Sequence, residues 1–154
     1  MSVSVSTADF DVSEEMNRLT AGNTEIGGVA IFAGKVRGDV NGEALASMTL
    51  EHYPGMTEAE LERIEGEAQR RFELSASLII HRVGELKPGD NIVLVITCAP
   101  HRKHAFAAAE FLMDYLKMYA PFWKKETFAS GATRWVDARE SDDEAAAAWA
   151  AYSE

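Results

Sequence analysis

The sequence predicts an α+β domain with a mixed, largely antiparallel sheet and packed helices. One observation is the order of the predicted elements, which runs strand, strand, helix, strand, strand, helix. Another is that two strands are joined by a tight Pro-Gly turn, whereas others are separated by a helix. Hairpins mixed with crossover helices favour this class over a doubly wound parallel sheet. No linker or repeat divides the chain, so we expect one domain over residues 1–154.

The first third of the chain is predicted to hold short elements. Residues 2–5 (SVSV) are typical of an edge strand, and Ser13 is expected to cap a small helix that ends at Gly22. The run IGGVAIF at 26–32 is rich in β-forming residues and predicts a strand. Residues 34–42 then predict a glycine-punctuated loop.

A second predicted strand, LASMTLEHY at 45–53, leads into an amphipathic helix. The pattern Thr57-x-x-Glu60 has the form of a capping box at the start of that helix. Apolar residues at spacings of three, four and four indicate its buried face, namely Leu61, Ile64, Ala68 and Phe72. We therefore expect this helix to pack on the sheet.

The second half of the chain predicts a hairpin and a further helix. Two apolar runs, 77–84 and 91–99, flank Pro88-Gly89, which suits the centre of a type II turn. The helix that follows is expected to end before Pro121. Its predicted buried stripe is Phe106, Ala109, Met113 and Leu116.

The charge distribution argues against a nucleic-acid ligand and for a small anion. Fifteen bases and 25 acids give a net charge of −10, so the overall field repels a phosphate backbone. Residues 101–125 nevertheless carry +3, which leaves −13 for the rest of the chain. Part of the negative charge lies in residues 141–154, which predict a short acidic C-terminal helix or tail. The local positive charge therefore predicts a focused anion site.

Cysteine usage and hydropathy predict a cytoplasmic protein. Cys98 is the single cysteine and lies in an apolar run, so we expect a buried, reduced thiol. No apolar run reaches eighteen residues, and the N-terminus lacks the basic and apolar regions of a signal peptide. We therefore expect no membrane association.

The sequence lacks motifs for metal, nucleotide or serine chemistry. His101 and His104 stand three residues apart, but no cysteine or nearby carboxylate completes a zinc ligand set. There is no G-x-S-x-G, P-loop or G-x-G-x-x-G sequence. His52 and His81 lie in strand-like runs, where a histidine more often has a structural role. We expect no metal or nucleotide cofactor, and a phosphatase-like hydrolase is disfavoured.

Cations at three places remain as candidates for the anion site. Arg37 follows a predicted strand in a glycine-rich loop, where a guanidinium can bind a phosphate or carboxylate. His101 and Arg102 precede a helix, whose N-terminus favours negative charge. Lys117 and Lys124 flank the turn after that helix, close in sequence to Tyr115, Phe122 and Trp123. Lysines in a partly dry aromatic environment can act as acid, base or nucleophile.

Each of these cations also has a simpler interpretation. An arginine in a loop is commonly a solvated surface residue, and a lysine at a helix C-terminus can merely complement the helix dipole. Distance adds a constraint, because Arg102 and Lys117 are roughly 22 Å apart in a continuous helix at about 1.5 Å per residue. We therefore predict a site shared by two copies of the chain, with His101 and Arg102 supplied by the second copy.

Six sequence segments resemble one known family. FAGKVRG, LEHYPGM, HRVGELKPGD, APHRKHAF, MDYLKMYAPFWKKE and RWVDARESD occur in this order between residues 27 and 142. Together they are similar to the large, catalytic subunit of molybdopterin synthase over some three quarters of the chain. The first twenty residues and the alanine-rich tail carry no diagnostic motif.

The resemblance implies an α/β hammerhead fold and a sulfurtransferase of molybdenum cofactor biosynthesis. In that family two sulfur atoms pass to cyclic pyranopterin monophosphate and form the dithiolene of molybdopterin. The sulfur comes from the thiocarboxylated C-terminal Gly-Gly tail of a small ubiquitin-like subunit. The resemblance also implies a homodimer with one small subunit at each end, hence a heterotetramer, and no metal or nucleotide for this step.

The resemblance implies roles for residues that match the family's motifs. Lys117 and Lys124 are the implied catalytic residues. The implied substrate-binding residues are Lys35, Val36, Arg37, His101, Arg102, Lys117, Lys124, Lys125 and Glu126. Arg134 and Arg139 are further candidates for charge in the pocket. The alternative, a non-catalytic binding module for a ubiquitin-like tail or a small anionic ligand, is disfavoured because both lysines are present.

Overall fold

The computed structural model describes residues 2–136, and in this part of the chain three helices and nine strands are formed. In chain order the elements are β1 (Val3–Ser6), α1 (Val12–Thr20), β2 (Gly28–Lys35), β3 (Asp39–Val40), β4 (Glu43–His52), α2 (Met56–Phe72), β5 (Ala76–Arg82), β6 (Gly84–Leu86), β7 (Asn91–Ala99), α3 (Arg102–Met118), β8 (Phe122–Phe128) and β9 (Thr133–Trp135). The predicted acidic element at 141–154 lies outside the described residues.

The strands form two sheets rather than one. The first has the order β1-β5-β7-β2, and only β1 and β5 run parallel in it. The second has the order β3-β4-β8-β9, with β6 also paired to β4, and all of its pairs are antiparallel. The α+β class with largely antiparallel pairing is thus confirmed. The division into two sheets depends on long-range pairing, which local sequence patterns do not encode.

Each sheet has its own core, and the two cores meet at one place. Helices α2 and α3 cover one face of the first sheet, and the predicted face of α2 is buried there. Helix α1 packs on the opposite face. The second core contains Val36, Leu45, Met48, Leu50, Val83, Leu86 and Phe128. Val5, Ile92 and Phe122 pack against both the first and the second core, so the two sheets join around these side chains.

The predicted starts of two helices were wrong. Asp11, not Ser13, caps α1, because its carboxylate accepts a hydrogen bond from the Glu14 N–H at 3.0 Å. Helix α2 begins after Gly55, whose positive φ of 87° suits glycine. The Gly55 N–H donates to the carboxylate of Glu58 at 2.9 Å. The predicted capping box of Thr57 and Glu60 is therefore not formed.

Thr57 has a different role, which bears on the functional site. Its side chain is buried, and its hydroxyl accepts from the Tyr53 N–H at 3.0 Å and donates to the Pro121 carbonyl at 3.1 Å. It therefore ties the start of α2 to the turn between α3 and β8. A buried hydroxyl with two partners stabilises the position of both segments.

The buried stripe of α3 also differs from the prediction. Its buried residues are Ala105, Ala108, Phe111, Leu112 and Leu116. The prediction was right for Leu116 but wrong for Phe106, which is 65% exposed. In the first half of the helix the residues that face the sheet are small, Ala105 and Ala108, and there the Thr97 hydroxyl donates to the Ala105 carbonyl at 2.6 Å.

The predicted hairpin is confirmed. Strands β5 and β7 pair antiparallel, and the Asp90 N–H donates to the Lys87 carbonyl at 2.9 Å across the Pro-Gly turn. Gly89 has a φ of 90°, as the third position of a type II turn requires. The connection also contains β6, which leaves the first sheet and pairs with β4.

Candidate active site

Two lysines lie beside His81 where the two sheets join. Lys117 is in the last turn of α3, and Lys124 lies on β8 opposite Leu50 of β4. Because side chains alternate along a strand, Lys124 is on the same face of the sheet as Phe122. The Phe122 ring stacks on the His81 ring with centroids 3.9 Å apart. The charges of both lysines act on His81, so both predicted residues lie within electrostatic range of this ring.

His81 is held neutral at this position. Burial lowers its pKa to about 4, and the charges of Lys124, His52 and Lys117 act in the same direction. Its Nδ1 lies 2.9 Å from the carbonyl oxygen of Arg82. Since a carbonyl only accepts hydrogen bonds, Nδ1 carries the proton of the neutral ring. His52 lies on the same side, with its Nε2 3.7 Å from a carboxylate oxygen of Glu58.

The free energy of unfolding is expected to fall as the pH is lowered from about 6.5 to 4. His81 titrates near 6.5 when unfolded and at about 4 when folded, so the unfolded chain binds more protons in this window. The loss from this residue should be on the order of 2 kcal/mol. Urea denaturation across this range should show a shallower pH dependence for His81→Gln than for the wild type. Equal slopes would contradict a neutral, part-buried His81.

Lys35 and Arg37 flank a buried residue at the end of β2. Lys35 is exposed, and its ammonium group donates to the Gly89 carbonyl at 3.0 Å. A hydrogen bond from Asn91 lowers the pKa of Asp9, and the charge of Lys35 acts more weakly in the same direction. Val36 is 3% exposed and packs in the second core. Its N–H and carbonyl are both paired with the Pro-Gly turn, so only its exposed neighbours Lys35 and Arg37 offer groups to a ligand.

The C-terminal end of β2 lies at the same end of the first sheet as His81 and the two lysines. His81 is paired with Val93 of β7, and Val93 is paired with Gly34 of β2. Two strand spacings separate the backbones of His81 and Gly34, which is roughly 10 Å. Lys35 and Arg37 are therefore at the same sheet end as His81.

His101 and Arg102 lie at the opposite end of β2. Helix α3 begins so close to this strand that a Cβ on Gly28 would lie 3.1 Å from the Arg102 Cα. Strand β2 then runs from Gly28 to Lys35, a length of roughly 23 Å. The continuous helix predicted between 102 and 117 is confirmed. One chain therefore does not bring His101 and Arg102 to Lys117.

Lys125 and Glu126 have different surroundings from Lys124. Lys125 points to the outer face of the second sheet, where its ammonium group lies 6.0 Å from the Trp135 ring centroid. Glu126 is buried and accepts a hydrogen bond from the Arg134 guanidinium at 2.9 Å. Arg134 is therefore paired with a carboxylate, and Arg139 lies outside the described residues.

A hollow of about 370 Å³ lies on the outer face of the second sheet. It is lined by Glu51, His52, Tyr53, Trp123 and Trp135. The rings of Tyr53 and Trp123 meet edge to face at 4.6 Å. Neither Lys117 nor Lys124 is among its lining residues, but His52 is, and the charge of His52 acts on His81, so the hollow adjoins the lysine site.

Residues 2–136 form neither a metal site nor a membrane-spanning helix. Within that range no group of three or more His, Cys, Asp or Glu side chains is arranged to hold a metal ion. None of the helices there is long and apolar enough to cross a membrane. Cys98 is a free, buried thiol, and burial raises its pKa.

The fold and the site together define an α+β domain with lysines and an arginine clustered at one end of the first sheet. A sequence profile described as MoaE protein matches residues 5–119, and the chain belongs to this MoaE family. The resemblance seen in the six sequence segments is thus confirmed.

Individual relatives agree with this family assignment. The chain is 54% identical to the molybdopterin synthase catalytic subunit of Ralstonia nicotianae over 147 residues, which are 96% of this chain and 83% of that protein. Its fold matches the molybdopterin biosynthesis MoaE protein from Burkholderia ambifaria with a TM-score of 0.83 and 52% identity, over 98% of this chain and 99% of the other. It also matches molybdopterin synthase from Staphylococcus aureus, with a TM-score of 0.82 and 27% identity over 89% and 98% of the two chains.

Proposed function

We propose that this enzyme is the catalytic subunit of a molybdopterin synthase. It transfers two sulfur atoms to cyclic pyranopterin monophosphate, one from each of two thiocarboxylated Gly-Gly tails of a small ubiquitin-like subunit, which yields the molybdopterin dithiolene and leaves two carboxylate tails. The observation that carries this proposal is that the charges of Lys117 and Lys124 both act on His81 in a chain of the MoaE family. This observation supports one site for the two catalytic residues that the family resemblance implies.

The proposed chemistry needs positive charge more than it needs a metal or a nucleotide. Each sulfur transfer passes through negatively charged tetrahedral and thiolate species. Preorganised ammonium groups stabilise these species more than they stabilise the substrate carbons, which lowers the barrier. Lys117 acts as the principal acid, base or electrostatic catalyst, with Lys124 as its partner. Lys35 and Arg37 bind the phosphate and orient the pterin.

The complete site is proposed to form between two copies of the chain. Strand β2 is an edge of the first sheet, and among the described strands none pairs with its outer side. Its exposed apolar side chains are Val29, Ile31 and Phe32, and Phe106 of α3 is also exposed. A long apolar edge strand of this kind is suited to pairing with a second chain.

Antiparallel pairing of β2 with its copy resolves the distance problem. In such a pair the start of one strand lies next to the end of the other. His101 and Arg102 of one copy then approach Arg37 and Lys117 of the other, although they are far apart within one chain. This arrangement supports the shared site that the sequence predicts.

The proposed assembly is a homodimer with a small subunit bound at each end. This heterotetramer leaves both lysine sites open to a carrier tail, because the β2 edges occupy the centre. We place the reaction in the cytoplasm, where the free thiol of Cys98 stays reduced.

The test is reconstitution of the reaction from purified components. We expect the dithiolene pterin to form when the protein is mixed with a thiocarboxylated small subunit and cyclic pyranopterin monophosphate. The matched control is the same small subunit with an ordinary C-terminal carboxylate, which carries no sulfur to transfer. Tight binding of the small subunit without any dithiolene would instead indicate a non-catalytic binding module.

A further inference from the structure

We propose that His81 is a positioning residue of the sulfur-transfer site: its Nε2, which has no hydrogen-bond partner among residues 2–136, accepts a hydrogen bond from the Lys124 ammonium group during sulfur transfer. This inference rests on the proposed function, in which Lys124 is catalytic. It gives a specific task to a side chain that the sequence suggests is merely structural. The task is to hold the lysine toward the substrate while leaving its charge intact.

The hydrogen bonding of His81 leaves one acceptor in the ring. The Arg82 carbonyl lies 2.9 Å from Nδ1 and can only accept, so Nδ1–H is the donor. In a neutral imidazole the other nitrogen, Nε2, then carries a lone pair. His81 therefore presents an acceptor of fixed tautomer at the lysine site.

This acceptor is open to a partner from the site. Between residues 2 and 136 no hydrogen bond engages His81 Nε2, and no enclosed side-chain nitrogen or oxygen lacks a partner. Nε2 is therefore not sealed within the core. His81 lies on the face of the first sheet that Lys117 and Lys124 border. The Lys124 ammonium group carries three donors, so one of them can bond to Nε2 while the others keep different partners.

The ring and the backbone of Lys124 are fixed relative to each other. Phe122 stacks on His81 at 3.9 Å and lies two residues before Lys124 on β8. The turn that precedes β8 is held by the Thr57 hydroxyl on the Pro121 carbonyl at 3.1 Å. Because the stack and the turn both constrain the start of β8, the lysine side chain begins at a defined distance from the imidazole.

The neutral state of the ring suits this task better than a charged one would. The groups that face it are Lys124 on β8, Lys117 on α3 and His52 on β4, the last lying near Glu58 of α2. An imidazolium would repel both lysines, and a carboxylate would neutralise one of them. A neutral acceptor orients an ammonium group and leaves its full charge for the anionic intermediates.

The experiment compares His81→Phe with His81→Gln in the reconstituted reaction. Phenylalanine keeps a ring to stack on Phe122 but removes the acceptor, whereas glutamine places a neutral acceptor near the position of Nε2. We expect His81→Phe to lower kcat by about 10- to 100-fold, with KM changed less than about threefold. His81→Gln should retain activity within about fivefold of the wild type. Melting temperatures confirm that both variants are folded.

A double-mutant cycle shows whether His81 acts through Lys124. If it does, adding His81→Phe to Lys124→Ala causes little further loss, because the group to be positioned is absent. Independent, multiplicative losses would overturn the proposal, as would full activity of folded His81→Phe or equal losses for the Phe and Gln variants. If Lys124→Ala itself kept wild-type activity, the catalytic assignment of Lys124 would fail first. That outcome is distinct from failure at His81 alone.

Discussion

Lys117→Ala is expected to lower dithiolene formation by roughly 100- to 1,000-fold while small-subunit binding stays nearly intact. The reason is that an ammonium group at the reacting centre stabilises the anionic transition state more than it stabilises the ground-state complex with the small subunit. Lys117 is exposed in the last turn of α3, so its removal leaves no cavity and should not unfold the chain. The measurements are single-turnover product formation and the Kd of the small subunit.

Arg18→Ala provides the control for this experiment. Arg18 is an exposed cation on α1, which packs on the face of the first sheet opposite to α3. Its removal changes the net charge equally but should leave turnover unaltered. If Lys117→Ala and Arg18→Ala behaved alike, Lys117 would have no part in the chemistry.

Mixing two inactive variants is expected to restore activity if the site is shared. In a dimer of Lys117→Ala with Arg102→Ala, one site combines both substitutions, and the other combines two unchanged residues. Random exchange makes about half of the dimers mixed, each with one intact site, so about one quarter of wild-type activity should return. The measurement is turnover after the two inactive homodimers are dissociated and reassociated together.

The same mixture also tests the alternative arrangement, in which each site is formed by a single chain. If each site came from one chain, every site in the mixture would carry one substitution and no activity would return. The control mixes Lys117→Ala with Lys117→Ala/Arg102→Ala, which provides no intact pair in either arrangement. Activity in that control would reveal contamination by wild-type protein.

Much of the fold could be predicted from local patterns. The stripe of Leu61, Ile64, Ala68 and Phe72 on α2 and the Pro-Gly hairpin turn are confirmed because helical periodicity and turn geometry are local properties. The α3 stripe was only partly right, since Phe106 matches the helical period but lies on the exposed side. A period alone does not show which of two adjacent stripes faces the sheet.

The candidate site could likewise be predicted only in part from the sequence. The sequence predicted the cations but treated Lys124 and Lys125 as one run, whereas strand alternation sends them to opposite faces. It treated His81 as structural, although the hairpin and β8 place it against Phe122. A sequence signal did exist, because His81 falls two residues after Ile79, on the same strand face as the core.

By itself, the sequence determined the α+β class, the kinds of charged residue available, and the distance between the two ends of α3. Only the tertiary structure decided that β2 is an edge strand, that Val36 is buried and that Lys124 lies beside a neutral His81. The physical reason is that burial and facing depend on which strands pair and in what register. Those pairings join residues far apart in the chain, so no local pattern contains them.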